Sequence, residues 1–154
     1  MTDQGIHVAT VGPPAYGVIS TLYAECFDDA WSAAAIERVL EPSGSFALLA
    51  CLGPRPRGFL LCRLILDEAE ILSIGVHPDH RQHGIGGVLL AATIARAEAR
   101  GAQWMFLEVA EDNMEARALY GALEFEQTGW RAGYYPRGRG QSVSAVLMSR
   151  RLGR

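Results

Sequence analysis

The stretch from Ile71 to Leu90, ILSIGVHPDHRQHGIGGVLL, constrains this chain more than any other. An apolar run stops at Pro78, passes through a glycine-punctuated turn and becomes a helix. A turn of that kind at a helix start is an anion cradle: Gly84, Gly86 and Gly87 leave room for backbone N–H groups to converge, and the unpaired amides and the helix dipole both favour a phosphate. Taken alone, the turn suits several nucleotide-binding folds. The dinucleotide fingerprint G-x-G-x-x-G fails, because Leu89 stands where its third glycine belongs, and the Walker A loop requires a lysine. All 14 basic residues here are arginine, which also removes lysine Schiff-base chemistry.

A second cluster, LEVAEDNMEARALYGALEF, carries Glu108, Asn113 and Tyr120. Together with V-x-P-x-x-R-x-x-G-x-G, formed by Val76, Pro78, Arg81, Gly84 and Gly86, it resembles the GCN5-related N-acetyltransferases (GNAT). Within that superfamily it resembles the RimI branch, which acetylates the N-terminal alanine of a ribosomal protein. The resemblance extends to Ala30-Trp31-Ser32 and to Tyr134-Tyr135-Pro136, so it covers nearly the whole chain. It implies one acetyltransferase domain over residues 1–154, of α/β class, with a mixed, mostly antiparallel sheet, a splayed central strand pair and flanking helices. It also implies acetyl-CoA as co-substrate, no metal, and a protein or peptide N-terminus as acceptor.

Length and composition agree with a single domain: 154 residues with 49% apolar content can bury one core. A formal charge of -3 argues against nucleic acid as a partner. Arg131, Arg137 and Arg139 form the lone basic cluster, read either as a solvated hairpin tip or as a loop that receives substrate. Cys26, Cys51 and Cys62 are odd in number and lack C-x-x-C spacing, which suits core roles in a reducing compartment better than disulfides or zinc. Met1 to Gln4 is polar and no apolar run reaches spanning length, so a cytoplasmic protein with no membrane association is expected.

Apolar periodicity predicts a strand over Ile6 to Val11, a helix over Pro13 to Phe27, and a short helix capped by Ser32 and ended by Glu41-Pro42-Ser43-Gly44. Strands over Ser45 to Leu52 and Gly58 to Leu66 flank a turn at Pro54-Arg55-Pro56-Arg57, and Ile71 to Val76 is the next strand. A helix over Ile85 to Arg100 stops at Gly101. A strand over Trp104 to Val109, a helix from Asn113 through Leu123, and strands near Phe125 to Tyr134 and Val143 to Met148 complete the chain.

Acetyl transfer to an amine needs a held thioester, a neutral amine, a proton acceptor and support for the leaving sulfur. The resemblance implies that Ile74 and Val76 offer backbone hydrogen bonds to pantetheine in the gap between splayed strands. Gly75 either permits the bulge that this bend requires or is a small residue packed under a helix. Gln82, His83, Gly84, Ile85, Gly86 and Gly87 match the pyrophosphate loop, and Asn113 both caps its helix and contacts the cofactor in the family. The run His77, His80, His83 invites a metal, but three-residue spacing works on a helix and Pro78 opposes one there.

Glu108 stands in an otherwise apolar strand, where a carboxylate is costly unless used or paired. Its alternatives are the family's general base and a salt-bridged strand glutamate. Tyr120 matches the tyrosine that protonates the departing thiolate, although a helix tyrosine by itself more often belongs to the core. Trp31, Tyr134 and Tyr135 match aromatics that shape the acceptor groove, with core packing open for Trp31. Three positions depart from the family pattern. Ala110 replaces an arginine, Ser144 replaces an aspartate, and Glu124 replaces a glycine at a helix end that favours a left-handed backbone. Two other functions remain open: a GNAT enzyme acting on a small-molecule amine or a lysine side chain, and a non-catalytic acyl-CoA-binding domain.

Overall fold

The computed structural model describes residues 5–153. The polar Met1 to Gln4 segment and the outer limits of the expected 1–154 domain lie outside those residues. Seven strands form one sheet in the order β1-β2-β3-β4-β5-β7-β6. In chain order, β1 (Ile6–Val11), α1 (Tyr16–Cys26), α2 (Ala33–Val39), β2 (Phe46–Leu52), β3 (Arg55–Ile65) and β4 (Glu68–Val76) precede α3 (Ile85–Ala99). After it come β5 (Trp104–Ala110), α4 (Met114–Ala122), β6 (Glu126–Pro136) and β7 (Ser142–Arg151). Every neighbouring pair is antiparallel except β4 and β5.

Two apolar clusters sandwich the sheet. On one face Ile85, Leu89, Leu90, Ile94 and Ala97 of α3 pack on Leu60, Cys62, Ile71, Met105 and Leu107. On the other, Tyr16, Ile19, Leu22 and Tyr23 of α1 and Ile36 of α2 pack on Ala47, Phe59 and Leu61. Central β3 is therefore buried on both sides from Gly58 to Cys62, the near-continuous apolar pattern of a strand covered twice. Cys62 lies in this core, where burial pushes its thiol up to about 12. Cys26 and Cys51 are half-exposed, and all three are free.

Local chemistry sets several element ends as expected. Ser32 accepts the Ala35 N–H at 3.1 Å, and Asn113 accepts the Ala116 N–H at 3.2 Å. Past α3, Gly101 has φ +89°, and the Gly101 and Ala102 amides donate to the Glu98 and Ala97 carbonyls at 3.0 Å each. This paired closure satisfies carbonyls that the helix end leaves open.

Other boundaries differ from the sequence expectations. The first helix starts only at Tyr16, since Pro13 and Pro14 carry no N–H and hold Pro13–Ala15 in a 3-10 turn. The β2–β3 turn is Gly53-Pro54, not the expected Pro54 to Arg57 segment, because Gly53 takes a left-handed φ of +57°. Pro56 then lies within β3 beside a register shift at Ala50/Cys51, where its missing donor is tolerated. β4 begins three residues before Ile71, following a tight turn at Leu66 and Asp67. β6 starts after Phe125, whose ring is buried in the core, and runs on to Pro136, while β7 spans Ser142–Arg151.

Candidate active site

The site begins where β4 and β5 part. They pair in parallel only at Glu68/Trp104, Ala69/Met105 and Glu70/Phe106; both strands then continue without further pairing to each other. The bend comes from a bulge at Leu72: Cys62 pairs with Ile71 but Leu61 pairs with Ser73, so Leu72 is the extra residue. This corrects the expectation that Gly75 supplies the bulge. Gly75 is required for a different reason, since a Cβ there would lie 2.5 Å from the Phe59 ring and 3.1 Å from that of Phe27.

Backbone groups alternate sides along a strand. The His77 amide donates to the Arg57 carbonyl of β3 at 2.8 Å, so Ile74 and Val76 turn their peptide groups away from β3 and into the gap. Arg81 Nε donates to the Val76 carbonyl at 3.0 Å, which ties the following loop to the strand end.

That loop reaches α3 through two left-handed residues, Gln82 at φ +63° and Gly84 at φ +85°. Gly84 is the N-cap and supplies no side-chain cap, and the first intrahelical bond runs from Val88 N–H to the Gly84 carbonyl at 3.0 Å. The Ile85, Gly86 and Gly87 amides consequently have no acceptor within the helix, the arrangement that receives an anion. The glycines of the turn differ in their surroundings. A Cβ on Gly84 would meet nothing within 4 Å, but one on Gly86 would meet Leu119 at 3.2 Å. Gly86 therefore lets α4 pack against the start of α3.

His77 is engaged on both ring nitrogens: Nδ1 accepts the Asp79 N–H at 3.1 Å, and Nε2 lies 2.8 Å from Glu25 of α1. Partial desolvation, then the Arg57 and His77 charges, holds the His80 pKa below its ordinary value. His83 belongs to the exposed loop.

On β5, Met105, Leu107 and Val109 point into the α3 core, while Trp104, Phe106, Glu108 and Ala110 share the other, more open face. Glu108 is paired there with Arg131 of β6, Nη2 to Oε1 at 3.0 Å. Two more contacts bind the same segments: Trp130 Nε1 donates to Glu111 at 3.2 Å, and Arg137 makes a two-pronged bridge to Asp112 at 2.8 and 2.9 Å. The Arg137 hydrogen bond holds the Asp112 carboxyl below its usual range. All three arginines of the basic cluster are exposed, and two of them, Arg131 and Arg137, are also paired with carboxylates. The Glu108 partner escaped sequence reasoning although a lone strand carboxylate signals the need for one.

Tyr120 projects from α4 into the core at 5% exposure, edge-on to Phe125. Burial, reinforced by Tyr135, pushes its phenol up to about 12. Tyr135 is itself raised by burial and then by Glu108, so its ring lies within electrostatic reach of both. Tyr134 is half-exposed beneath the Arg131 guanidinium, 5.4 Å from cation to ring centre. Trp31 packs with Tyr23, ring centres 5.7 Å apart, as part of the α1–α2 cluster. The structure shows Asn113 only as a helix cap.

A parted parallel strand pair, an uncapped glycine turn and a carboxylate on the open face define the acetyltransferase class of fold. The chain belongs to the acetyltransferase (GNAT) family, whose model matches residues 16–125. It is similar to the [ribosomal protein bS18]-alanine N-acetyltransferase of Haemophilus influenzae, with 37% identity over 92 residues, 60% of this chain and 62% of that one. The chain thus matches about six-tenths of the length of that curated relative. In structure it is similar to the ribosomal-protein-S18-alanine N-acetyltransferase of Escherichia coli, TM-score 0.89 at 23% identity over 97% and 96% of the two chains. Arabidopsis thaliana NAA60 in complex with acetyl-CoA shares the fold, TM-score 0.79 at 16% identity over 96% and 98%. Among the described residues no helix is long and apolar enough to cross a membrane.

Proposed function

We propose that this protein transfers the acetyl group of acetyl-CoA to a protein N-terminal α-amine, with a ribosomal protein as the favoured class of acceptor. The observation that carries this reading is the opening between β4 and β5, with free amides at one end and Glu108 on its open face. The relative named for alanine N-acetylation supports the acceptor class. The residues present fit acetyl-CoA: the Ile85, Gly86 and Gly87 amides suit a pyrophosphate, with Gln82, His83 and Gly84 shaping the loop, and Ile74 and Val76 offer peptide groups to an extended amide chain. Asn113, the α4 cap, is assigned to the cofactor on its match to the family motif alone.

Acetyl-CoA supplies a thioester carbonyl and a thiolate leaving group. Glu108 accepts the amine proton, directly or through water, as the nitrogen bonds to the acetyl carbon and the carbon–sulfur bond breaks. Tyr120, with its pKa near 12, stays a neutral O–H donor at physiological pH. A thiol near 8.5 is the stronger acid by roughly 5 kcal/mol, so Tyr120 is assigned to steady the developing thiolate as an O–H donor while keeping its proton, and the thiolate leaves as such or takes a proton from water. An α-amine of pKa about 7.7 to 8.0 is substantially neutral near pH 7.5, whereas a lysine near 10.4 is neutral in about one part in a thousand. An N-terminus therefore asks less of its proton acceptor than a lysine does. Tyr134 and Tyr135, near Arg131 and Glu108, are assigned to the acceptor side on this reading, and Trp31 on its family match alone.

The test is acetyl-CoA-dependent mass shift on peptides beginning with Ala, Ser or Met, alongside peptides with a blocked N-terminus and an internal lysine. Acetylation confined to free N-termini is expected. Transfer only to lysine or polyamines would move the acceptor to another amine class, and CoA binding without any transfer would make the protein a binding domain. Direct attack also predicts sequential kinetics, so acetyl exchange between acetyl-CoA and CoA without acceptor should not occur.

A further inference from the structure

Glu108 takes its counter-ion from a strand that is not its neighbour. β7 lies between β5 and β6, yet Arg131 reaches across it to Glu108 Oε1. The sheet register explains the reach. Ala110, Ala145 and Arg131 lie in one row across β5, β7 and β6, and Glu108 lies in the next row beside Leu147 and Gly129. Two alanines in the arginine's row leave its long side chain a path over β7, and Ala110 puts no second charge beside the carboxylate.

Arg131 is itself held. Its guanidinium lies over the Tyr134 ring, and the strand bulges between Arg131 and Tyr135. Gly133 takes a φ of +60° within the bulge and donates its amide to Ser144 Oγ at 3.3 Å. The Trp130–Glu111 and Arg137–Asp112 contacts pin β6 on either side of it.

We infer that Arg131 is a positioning residue, which fixes the rotation of the Glu108 carboxylate through Oε1 and leaves Oε2 to take the proton of the acceptor amine. This rests on reading Glu108 as the base. The terminal torsion of a glutamate is broad, so an unrestrained carboxylate spends much of its time misaligned with the amine. A base held by a third group is a recurring arrangement in proton-transfer sites. The nearest approach of the ion pair is at Oε1, 3.0 Å from Nη2, and a carboxylate oriented from that side presents Oε2 to the amine.

The experiment is a cycle of Arg131→Gln, Arg131→Lys and Glu108→Gln, alone and combined, assayed on an alanine-starting peptide with kcat, both KM values and the melting temperature as readouts. Arg131→Gln is expected to lower kcat roughly tenfold to a hundredfold while the acetyl-CoA KM stays within about twofold. Arg131→Lys should recover part of that loss, because a lysine keeps a cation beside Oε1. In the Glu108→Gln background the Arg131 substitutions should have no further effect on kcat. Should Arg131→Gln not fold, the lysine variant alone and on Glu108→Gln carries the same comparison. An equal loss of kcat in both backgrounds would overturn the inference and leave Glu108 as base untouched, as would a change in melting temperature with kcat unaltered. An unchanged rate for Glu108→Gln itself would sink the base reading and the inference together.

Discussion

The two halves of the sheet are built on different terms. From β2 to β4 the sheet has helices on both faces, α3 on one and α1 and α2 on the other, and β1 forms a half-exposed edge. From β5 to β6 one face packs on the core and the other is open, so β5 alternates between buried and half-buried residues and β6 is mostly exposed. Apolar area holds the first half. Named polar contacts arrange the second, and both Glu108 and the aromatic residues beside it lie there. The scaffold that presents the parted strand is thus separated from the surface to which we assign the chemistry, joined by a parallel ladder only three residue pairs long.

If this division is right, substitutions of similar size should differ sharply in cost between the halves. Phe59→Ala, at a fully buried ring between β3 and α1, should lower unfolding stability by about 3–5 kcal/mol. Trp130→Ala, at a ring 58% exposed, should cost within about 1 kcal/mol for its single hydrogen bond. Urea unfolding of both variants decides it, and comparable losses would break the comparison.

Tyr120 is where the halves meet, and its burial has a pH signature. A phenol with a raised folded pKa contributes stability that is full below the ordinary value near 10 and is lost as pH rises through about 12. Between pH 10 and 12 the wild type should therefore lose roughly 2–3 kcal/mol more than Tyr120→Phe. Tyr16, Tyr23 and Tyr135 are also raised, but they remain in both proteins. Parallel alkaline unfolding curves would show that Tyr120 is not desolvated as described.

A smaller effect tests the bend. Gly75→Ala forces a Cβ against the Phe59 ring and should cost about 1–3 kcal/mol in thermal or urea unfolding. A neutral result would mean that the ring yields freely and that the glycine serves the gap instead. Smallest of all, Glu124 holds φ +68° just past α4, with only a 3.7 Å ion pair to Arg150 at an 82% exposed side chain. Glu124→Gly should raise stability by up to about 1 kcal/mol, and a loss would show that the ion pair outweighs the strain.

Legibility in the sequence follows the same division. The order and type of the elements could be read because burial on one or both faces writes itself as apolar runs and periodicity. The caps at Ser32 and Asn113, the stop at Gly101 and the strained Glu124 could be read because each depends on neighbours a few residues away. The Leu72 bulge could not, since it exists only in the pairing of β3 with β4. The Gly86 contact with Leu119 depends on how two helices dock. The Arg131–Glu108 pair depends on the strand order placing β7 between them with alanine at the crossing. Local chemistry is visible in a chain; contacts across the sheet emerge only with its topology.

The central claim is that Glu108 on the open half takes the acceptor proton while the cradle on the covered half binds independently of it. The most direct test is acetyl transfer to an alanine-starting peptide by wild type and Glu108→Gln, with CoA affinity measured on the same samples by calorimetry. The account predicts a rate lower by about 10² to 10⁴ with CoA affinity unchanged. A Glu108→Gln protein that binds CoA as before and transfers acetyl at the wild-type rate would contradict it.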